Sequence, residues 1–408
     1  MCLLLGTWAC RASLTAVVIP LDLKNIVPAM DALEDQLSHL TIAKRAAMKD
    51  GTTYIIDIDV SNPAEEQSAQ TIAILCSDKT IRLYNRETVT CLHEYSAHPG
   101  ALSGVRFCHT NGNLVLSACS DATVKLWDAR VSGTGAVQQY TGYPSNVFIS
   151  FDVSCNDLVV CAGTEKVEDD AFLVFWDGRY IPNTKSKEPL GAYSESHNDD
   201  VTQVCFHPTN PSLVATGSTD GLVNVFDIGA DNEDDALTST CNSDSSVNIV
   251  GWAGRHYKQV YCLTHNEGFL WWDLAQVDTE EAITLCQVED VRENVHGCDI
   301  NYLIGGFYHE SRNALLLFGG SHDGNISLLY CDSGRVAHLK TLTGGHTDIV
   351  RSVYWCGGDD SLITGGEDAQ LLLWKPKEAS PKKRDSMKMA SSVQQRVRVH
   401  TTKSFMAK

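Results

Sequence analysis

The sequence predicts an all-β fold: a ring of seven four-stranded blades. Three observations predict it. One pattern recurs about every 50 residues, each copy ends its third strand on an aromatic or large apolar anchor, and each carries an Asp or Asn seven residues before a fixed marker. A period of this length with several short strands per copy is the signature of blades arranged around an axis.

The marker occupies Asn85, Asp128, Asp177, Asp227, Asp273, Tyr330 and Lys375, with steps of 43, 49, 50, 46, 57 and 45 residues. The residue before it is Tyr84, Trp127, Trp176, Phe226, Trp272, Leu329 or Trp374, so half of the eight tryptophans fall in one column. Seven residues before the marker stand Asp78, Asp121, Asp170, Asp220, Asn266, Asp323 and Asp368, usually followed by a small residue and a β run such as "TVKLW" or "LVNVF". Asp and Asn bond their own backbone in tight turns, so this column reads as the hairpin between a second and a third strand. Two further strand patterns precede each turn, for example "GVRFCH" and "LVLSACS".

Across residues 40 to 375 this pattern resembles the WD-repeat family. The resemblance implies a seven-bladed WD-repeat β-propeller closed by an N-terminal outer strand. It also implies a hydrogen-bonded lock within a blade, and two copies carry the full set: His98, Ser117, Asp121 and Trp127, then His346, Thr364, Asp368 and Trp374. A buried imidazole needs a carboxylate on one nitrogen and a hydroxyl on the other, and the hydroxyl takes the indole N–H. The other copies are partial. The fourth has His197, Thr216 and Asp220 but Phe226; the third has Tyr143 in the histidine column; the sixth has Leu329, which leaves six blades plus a decoy as an alternative. Repeats of this family begin with the outer strand of the preceding blade, so "LTIAKRA" at 40 to 46 is expected to complete the last one and remove an open sheet edge.

Residues 1 to 39 are read as a largely irregular extension, 40 to 375 as the propeller and 376 to 408 as a basic tail. "MCLLLGTWAC" lacks a basic n-region and its apolar run is broken by Gly6 and Arg11, so an extension is expected rather than a secretion signal. With 43% hydrophobic and 20% charged residues the chain can bury a core, and its apolar stretches are strand-sized rather than the roughly 20 residues of a membrane-crossing helix. Fifteen cysteines form no CxxC pair, and Cys76, Cys119 and Cys161 fall in strand patterns, where a reduced thiol is a small hydrophobe. An intracellular location, nucleus and/or cytoplasm, is expected.

From Pro376 onward nine basic residues face two acidic ones, a net of +7, so the rest carries −26 of the total −19. Such a body repels nucleic acid, leaving the tail as the one segment suited to it, and favours basic protein segments. The tail holds "PKKRD", a weak import signal, and an alternating "RVRVH".

Trp-Asp-x-Arg occurs twice, in "LWDAR" and "FWDGR". It is similar to the motif of WD-repeat substrate receptors of cullin-RING ubiquitin ligases, which makes Arg130 and Arg179 candidate contacts for the ligase adaptor. The plain alternative is that each arginine pairs with the aspartate two residues before it. "EKVEDD" at 165 to 170 should lie on the top face, where the second-to-third strand turns emerge, and "DNEDD" at 231 to 235 on the opposite one, each as a solvated acidic loop. Tyr143, Asn146, Asp200 and Asp348 are the top-face candidates for reading a peptide.

No Walker A, GxGxxG, HExxH or GxSxG motif is present, and three of the fourteen histidines, His98, His197 and His346, are accounted for by blade locking. The sequence therefore predicts no catalytic, metal or cofactor site. It predicts a monomeric propeller that binds proteins within a larger complex, as a ubiquitin-ligase receptor or as a chaperone for basic clients such as histones or ribosomal proteins. An enzyme with a site in the central channel is the competing class.

Overall fold

Seven sheets, six of four antiparallel strands and one with a fifth strand added, are formed by the described residues of the computed structural model. It describes residues 37, 39–49, 51–62, 70–132, 135–143, 146–182, 184–275, 282–332 and 334–377. The expectations for the first 29 residues and for the tail beyond 377 lie outside them. Blade 1 is built from Ile55–Val60, Thr71–Cys76, Thr80–Asn85 and Thr90–Ser96, from the inner strand a to the outer strand d. Blades 2 to 7 repeat this from inner strands Leu102–Phe107, Phe148–Val153, Gln203–Phe206, Val247–Ala253, Tyr302–His309 and Val350–Cys356. Each inner strand neighbours those of the flanking blades, and the first neighbours the last. The result is a closed ring, a seven-bladed β-propeller.

Both faces of a blade pack on neighbours, so strand b runs apolar throughout, as in Ala314–Gly320 with all seven residues buried. The core is correspondingly seven apolar layers, one per blade interface. Trp176 fills the layer between blades 2 and 3, and Phe226 the one between blades 3 and 4. The sixth copy is a full blade: Tyr302–His309, Ala314–Gly320, Ile326–Asp332 and Arg335–Leu342 form one sheet, with Leu329 buried in the layer shared with blade 5. Leucine there serves the packing and gives up only the indole N–H.

Closure follows the expected route. Leu40–Ala47 runs antiparallel to Gln370–Pro376, from Leu40 opposite Pro376 to Ala47 opposite Gln370, and becomes strand d of blade 7. Ring closure thus depends on pairing the chain's first strand with its last. A further regularity was not legible beforehand. In blades 1, 2, 3, 5 and 7 the register of strand a slips by one residue just after its first pair, for example between Ile55 and Asp57 and between Val350 and Ser352. A bulge there sharpens the local twist, which suits a strand that lines a narrow axis.

Two departures from the expected pattern matter for the surface. Ser186–Lys187 pairs in parallel with Gln138–Thr141, strand d of blade 2, and makes that blade five-stranded. A two-residue strand has no periodicity to detect. The acidic run after strand c of blade 4 is also no loose loop: Asn232 caps a helical turn, Glu233–Ala236. The Glu233 carboxylate accepts from the backbone N–H groups of Ser194 and Glu195, at 2.8 and 2.9 Å, and from the Ser196 hydroxyl. Residues 231–235 therefore spend one of their charges on holding the neighbouring segment.

Candidate functional site

In blade 7, His346 Nδ1 lies 2.9 Å from Asp368 Oδ1 and Nε2 lies 2.7 Å from Thr364 Oγ1, while Trp374 Nε1 donates to the same hydroxyl at 3.0 Å. One assignment satisfies every group: the indole donates to the hydroxyl, the hydroxyl donates to Nε2, and Nδ1–H donates to the carboxylate. Gly345 is required beside it, because a Cβ there would sit 2.4 Å from the Trp374 ring. Blade 2 repeats the set, with His98 to Asp121 at 3.2 Å, His98 to Ser117 at 2.9 Å and Trp127 to Ser117 at 2.9 Å. Burial lowers the His98 pKa although the bond to Asp121 pulls the other way. Burial would raise Asp121, but hydrogen bonds from His98 and Thr123 outweigh it and hold the carboxyl well below its usual range. Cys119 lies close to His98 and Asp121, yet these groups are engaged in the lock, which explains the cluster without a metal.

Blades 3 and 4 do without the full set. In blade 4, His197 keeps Asp220 at 3.0 Å and Thr216 at 2.8 Å, while Phe226 leaves the hydroxyl without an indole. In blade 3, Tyr143 is 48% exposed instead of buried, and Trp176 Nε1 donates to the Thr141 carbonyl at 3.2 Å.

Of the top-face candidates, Asn146 is buried: its Oδ1 accepts from the Tyr143 N–H at 3.0 Å. Its side chain holds the loop and is not presented to a peptide, which sequence position alone could not reveal. Asp200 is half-buried and accepts from Lys166 N–H at 2.8 Å, tying residues 165–170 of blade 3 to the entry of blade 4. Asp348 is exposed and accepts from the Ile349 N–H. Glu165, Glu168, Asp169 and Asp170 are exposed beside Asp200.

Arg130 and Arg179 leave the ends of strand c in blades 2 and 3, with side chains 65% and 68% exposed. Each is also paired. Arg130 Nε and Nη2 donate to the two oxygens of Asp128 at 2.9 and 2.6 Å, and Arg179 does the same to Asp177 at 2.9 and 2.6 Å. The hydrogen bonds from Arg179 lower the Asp177 pKa to about 2. The carboxylate fixes the guanidinium plane, and the Nη1 edge has no partner among the described residues. Asp290 and Arg292 form an identical fork at a helical turn, so Asp-x-Arg is a local device that needs no tryptophan.

The central channel holds residues that the motif search missed. Asp59 and Asp152 occupy matching positions of two inner strands and stitch each to the next blade, accepting from Phe107 N–H at 2.6 Å and Phe206 N–H at 2.7 Å. Between them, in blade 2, Arg106 donates to Asp57 at 2.7 Å. Burial raises Asp59 to about 6 against the pull of Arg106. The signal was present as charged residues inside apolar strands, in "IIDIDV" and "FISFDV". Aromatic side chains, Trp252, Tyr257, Tyr261, Tyr354 and Trp355, line the rest of the lower cavity. Cys205 also lines it, its thiol pushed up by burial to about 12 and so far from thiolate.

Seven blades, ring closure and the His–hydroxyl–indole lock define a class of protein whose members present loops at the two ends of a rigid ring. The WD domain, G-beta repeat pattern matches residues 89–128, 187–227 and 337–375. The chain is 30% identical over 85% of its length to a WD repeat-containing protein 89 homolog of Dictyostelium discoideum, covering 90% of that protein. It belongs to the WD-repeat family. It is also similar to WD repeat-containing protein GTS1 of Arabidopsis thaliana, 31% identical over 75% of this chain and 78% of the relative. An uncharacterized WD repeat-containing protein of Saccharomyces cerevisiae is 28% identical over 74% of this chain and 75% of its own.

Proposed function

We propose that the protein is a non-catalytic interaction scaffold, nuclear or cytoplasmic, that joins a larger assembly through Arg130 and Arg179, as a substrate receptor of a cullin-RING ubiquitin ligase. The observation that carries this reading is the pair of arginine forks. Consecutive blades return the chain to equivalent places, so both guanidinium groups emerge on the bottom face, and each is held flat by its own aspartate before any partner arrives. A pre-ordered planar donor loses little freedom on binding and matches carboxylates and carbonyls. The channel supports no comparable chemical reading. Its carboxylates are spent on backbone stitches and on Arg106, and its cysteine is far from a nucleophile.

The test is capture of a purified cullin-RING adaptor by the full-length protein, with Arg130→Ala/Arg179→Ala as the paired variant. Capture by the wild type and its loss in the variant supports the receptor role. A wild type that never captures the adaptor sinks it.

A second reading rests on the top face. There residues 165–170 and Asp200 are joined by a hydrogen bond and present Glu165, Glu168, Asp169 and Asp170 side by side, in keeping with a chaperone or assembly role toward basic proteins. Salt-sensitive binding of histones or ribosomal proteins, weakened by Glu168→Lys/Asp169→Lys, is its expected signature.

A further inference from the structure

Val131, Leu158, Tyr180, Ile181 and Leu190 are 42 to 70% exposed, and all lie on the bottom face or outer rim of blades 2 and 3. These are five of the nine large hydrophobic side chains left exposed among the described residues. The backbone ties the region together. Gly178 N–H donates to the Leu158 carbonyl at 2.8 Å, Ile181 N–H donates to Gln138 Oε1 of blade 2 at 3.1 Å, and Tyr140 of blade 2 donates to the Gly178 carbonyl at 3.0 Å. Scattered exposed hydrophobics need no explanation, but a cluster around two rigid arginines is the composition of a docking surface.

We infer that this patch docks an amphipathic helical segment of a second protein, whose apolar stripe covers Leu158, Tyr180 and Ile181 and whose flanking Asp or Glu side chains meet Arg130 and Arg179. It deepens the proposed function by naming the chemistry recognised at the same face, and it rests on that reading only for the identity of the partner. Charge selects the occupant. The exposed charges of this region are Arg130, Arg179 and Lys185 against the single Glu188 on the rim near Leu190, while Asp128 and Asp177 lie beneath the guanidinium groups, 16% and 23% exposed. A carboxylate-bearing segment is attracted there. Geometry selects the helix. Strand addition, the other common mode, needs a long open edge, whereas the outer edge of blade 2 carries Ser186–Lys187 and that of blade 3 is only the three-residue Gly191–Tyr193. A helix delivers side chains at i, i+3, i+4 and i+7 to a patch of loops, with its acidic residues at the stripe's border.

Titration calorimetry of the full-length protein with three synthetic helical peptides tests it. All share one Leu stripe, and the flanks carry Glu, Gln or Lys. The Glu-flanked peptide is expected to bind at least about tenfold more tightly than the Lys-flanked one. Leu158→Asp/Ile181→Asp should weaken it by about tenfold or more, and Arg130→Ala/Arg179→Ala should erase the preference for Glu over Gln. Leu92→Asp, on the outer strand of blade 1, is the control expected to change nothing. Equal binding of Glu and Lys peptides, no binding of any peptide, or indifference to the Leu158/Ile181 variant in a folded protein overturns the inference. If the Glu peptide binds as expected but the adaptor is not captured, the receptor reading falls alone.

Discussion

Blades 2 and 7 spend four side chains on one buried junction, whereas blade 3 satisfies the same tryptophan with a backbone carbonyl. In the locked blades an imidazole, a carboxylate, a hydroxyl and an indole are mutually bonded, so loss of one leaves another buried and unpaired. In blade 3 the histidine column holds an exposed tyrosine, and Trp176 is secured by packing against Phe148 and by Thr141 O. The ring tolerates either solution because each blade contributes most of its stability through the apolar layers on its two faces. The lock adds rigidity at chosen junctions, and one of them is the blade where Leu40–Ala47 pairs with Gln370–Pro376.

The largest effect should come from breaking that closing blade outright. Deleting residues 1 to 48 removes Leu40–Ala47 and bares the hydrogen-bonding edge of Gln370–Pro376, so aggregated protein is expected on expression. Soluble deletion protein with an unchanged melting curve would mean that the ring closes without this strand. Next comes Trp374→Ala, which deletes a buried aromatic at about 3 to 5 kcal/mol and also strips the indole from Thr364. Thermal melting should fall by roughly 5 °C or more.

Ser117→Ala against Tyr143→Ala sharpens the comparison directly. The first leaves the Trp127 N–H and His98 Nε2 both unpaired in the interior and should cost about 2 to 4 kcal/mol. The second removes an exposed side chain and should stay within about 0.5 kcal/mol. Similar losses in urea titrations of both variants would show that the lock is ornamental.

Acid probes the same contrast at a smaller scale. The folded pKa of His98 lies below its unfolded value near 6.5, so the neutral imidazole stabilises the protein above that pH, and the contribution is lost as pH falls through the window beneath it. Asp59 has the opposite sign. Its folded pKa of about 6 exceeds the unfolded 3.8, so its contribution is full below 3.8 and lost as pH rises through 6. Asp59→Asn, which can still accept from Phe107 N–H, should therefore gain on the wild type between pH 4.5 and 7.5 by up to about 2 kcal/mol. A pH-independent difference in melting temperature would refute the assignment. The smallest effect is expected from Arg130→Ala/Arg179→Ala, whose exposed forks should leave the melting temperature within about a degree of wild type.

Much of this was legible in the residues. The Asp column located the hairpin turns because Asp readily bonds its own backbone: Asp78, Asp121, Asp220 and Asp368 each accept from the N–H two residues on. The lock was legible because each of its four residue types has one way to be satisfied when buried. Asn146 was taken as solvent-facing, whereas a short-range bond to the Tyr143 N–H turned it inward; residues 231–235 are mostly exposed as expected, and only Glu233 is drawn in, by backbone N–H groups of the distant segment at Ser194 and Glu195. The sixth copy looked doubtful because the pattern weighs tryptophan heavily, while the interface needs only apolar volume.

The sequence by itself determined the blade repeat, its turns and the residues of the two locks, since these follow from periodicity and from local hydrogen-bonding demands, while the sixth blade was settled by its four-stranded sheet. Tertiary structure alone decided the rest. It set Asp59, Arg106 and Asp152 side by side in the channel, although they lie in three different copies. It laid Ser186–Lys187 along blade 2, and it gathered Arg130, Leu158, Arg179 and Ile181 onto one face. Residues far apart in the chain meet only because the ring brings each blade against the next, and no local preference encodes who stands on the other side.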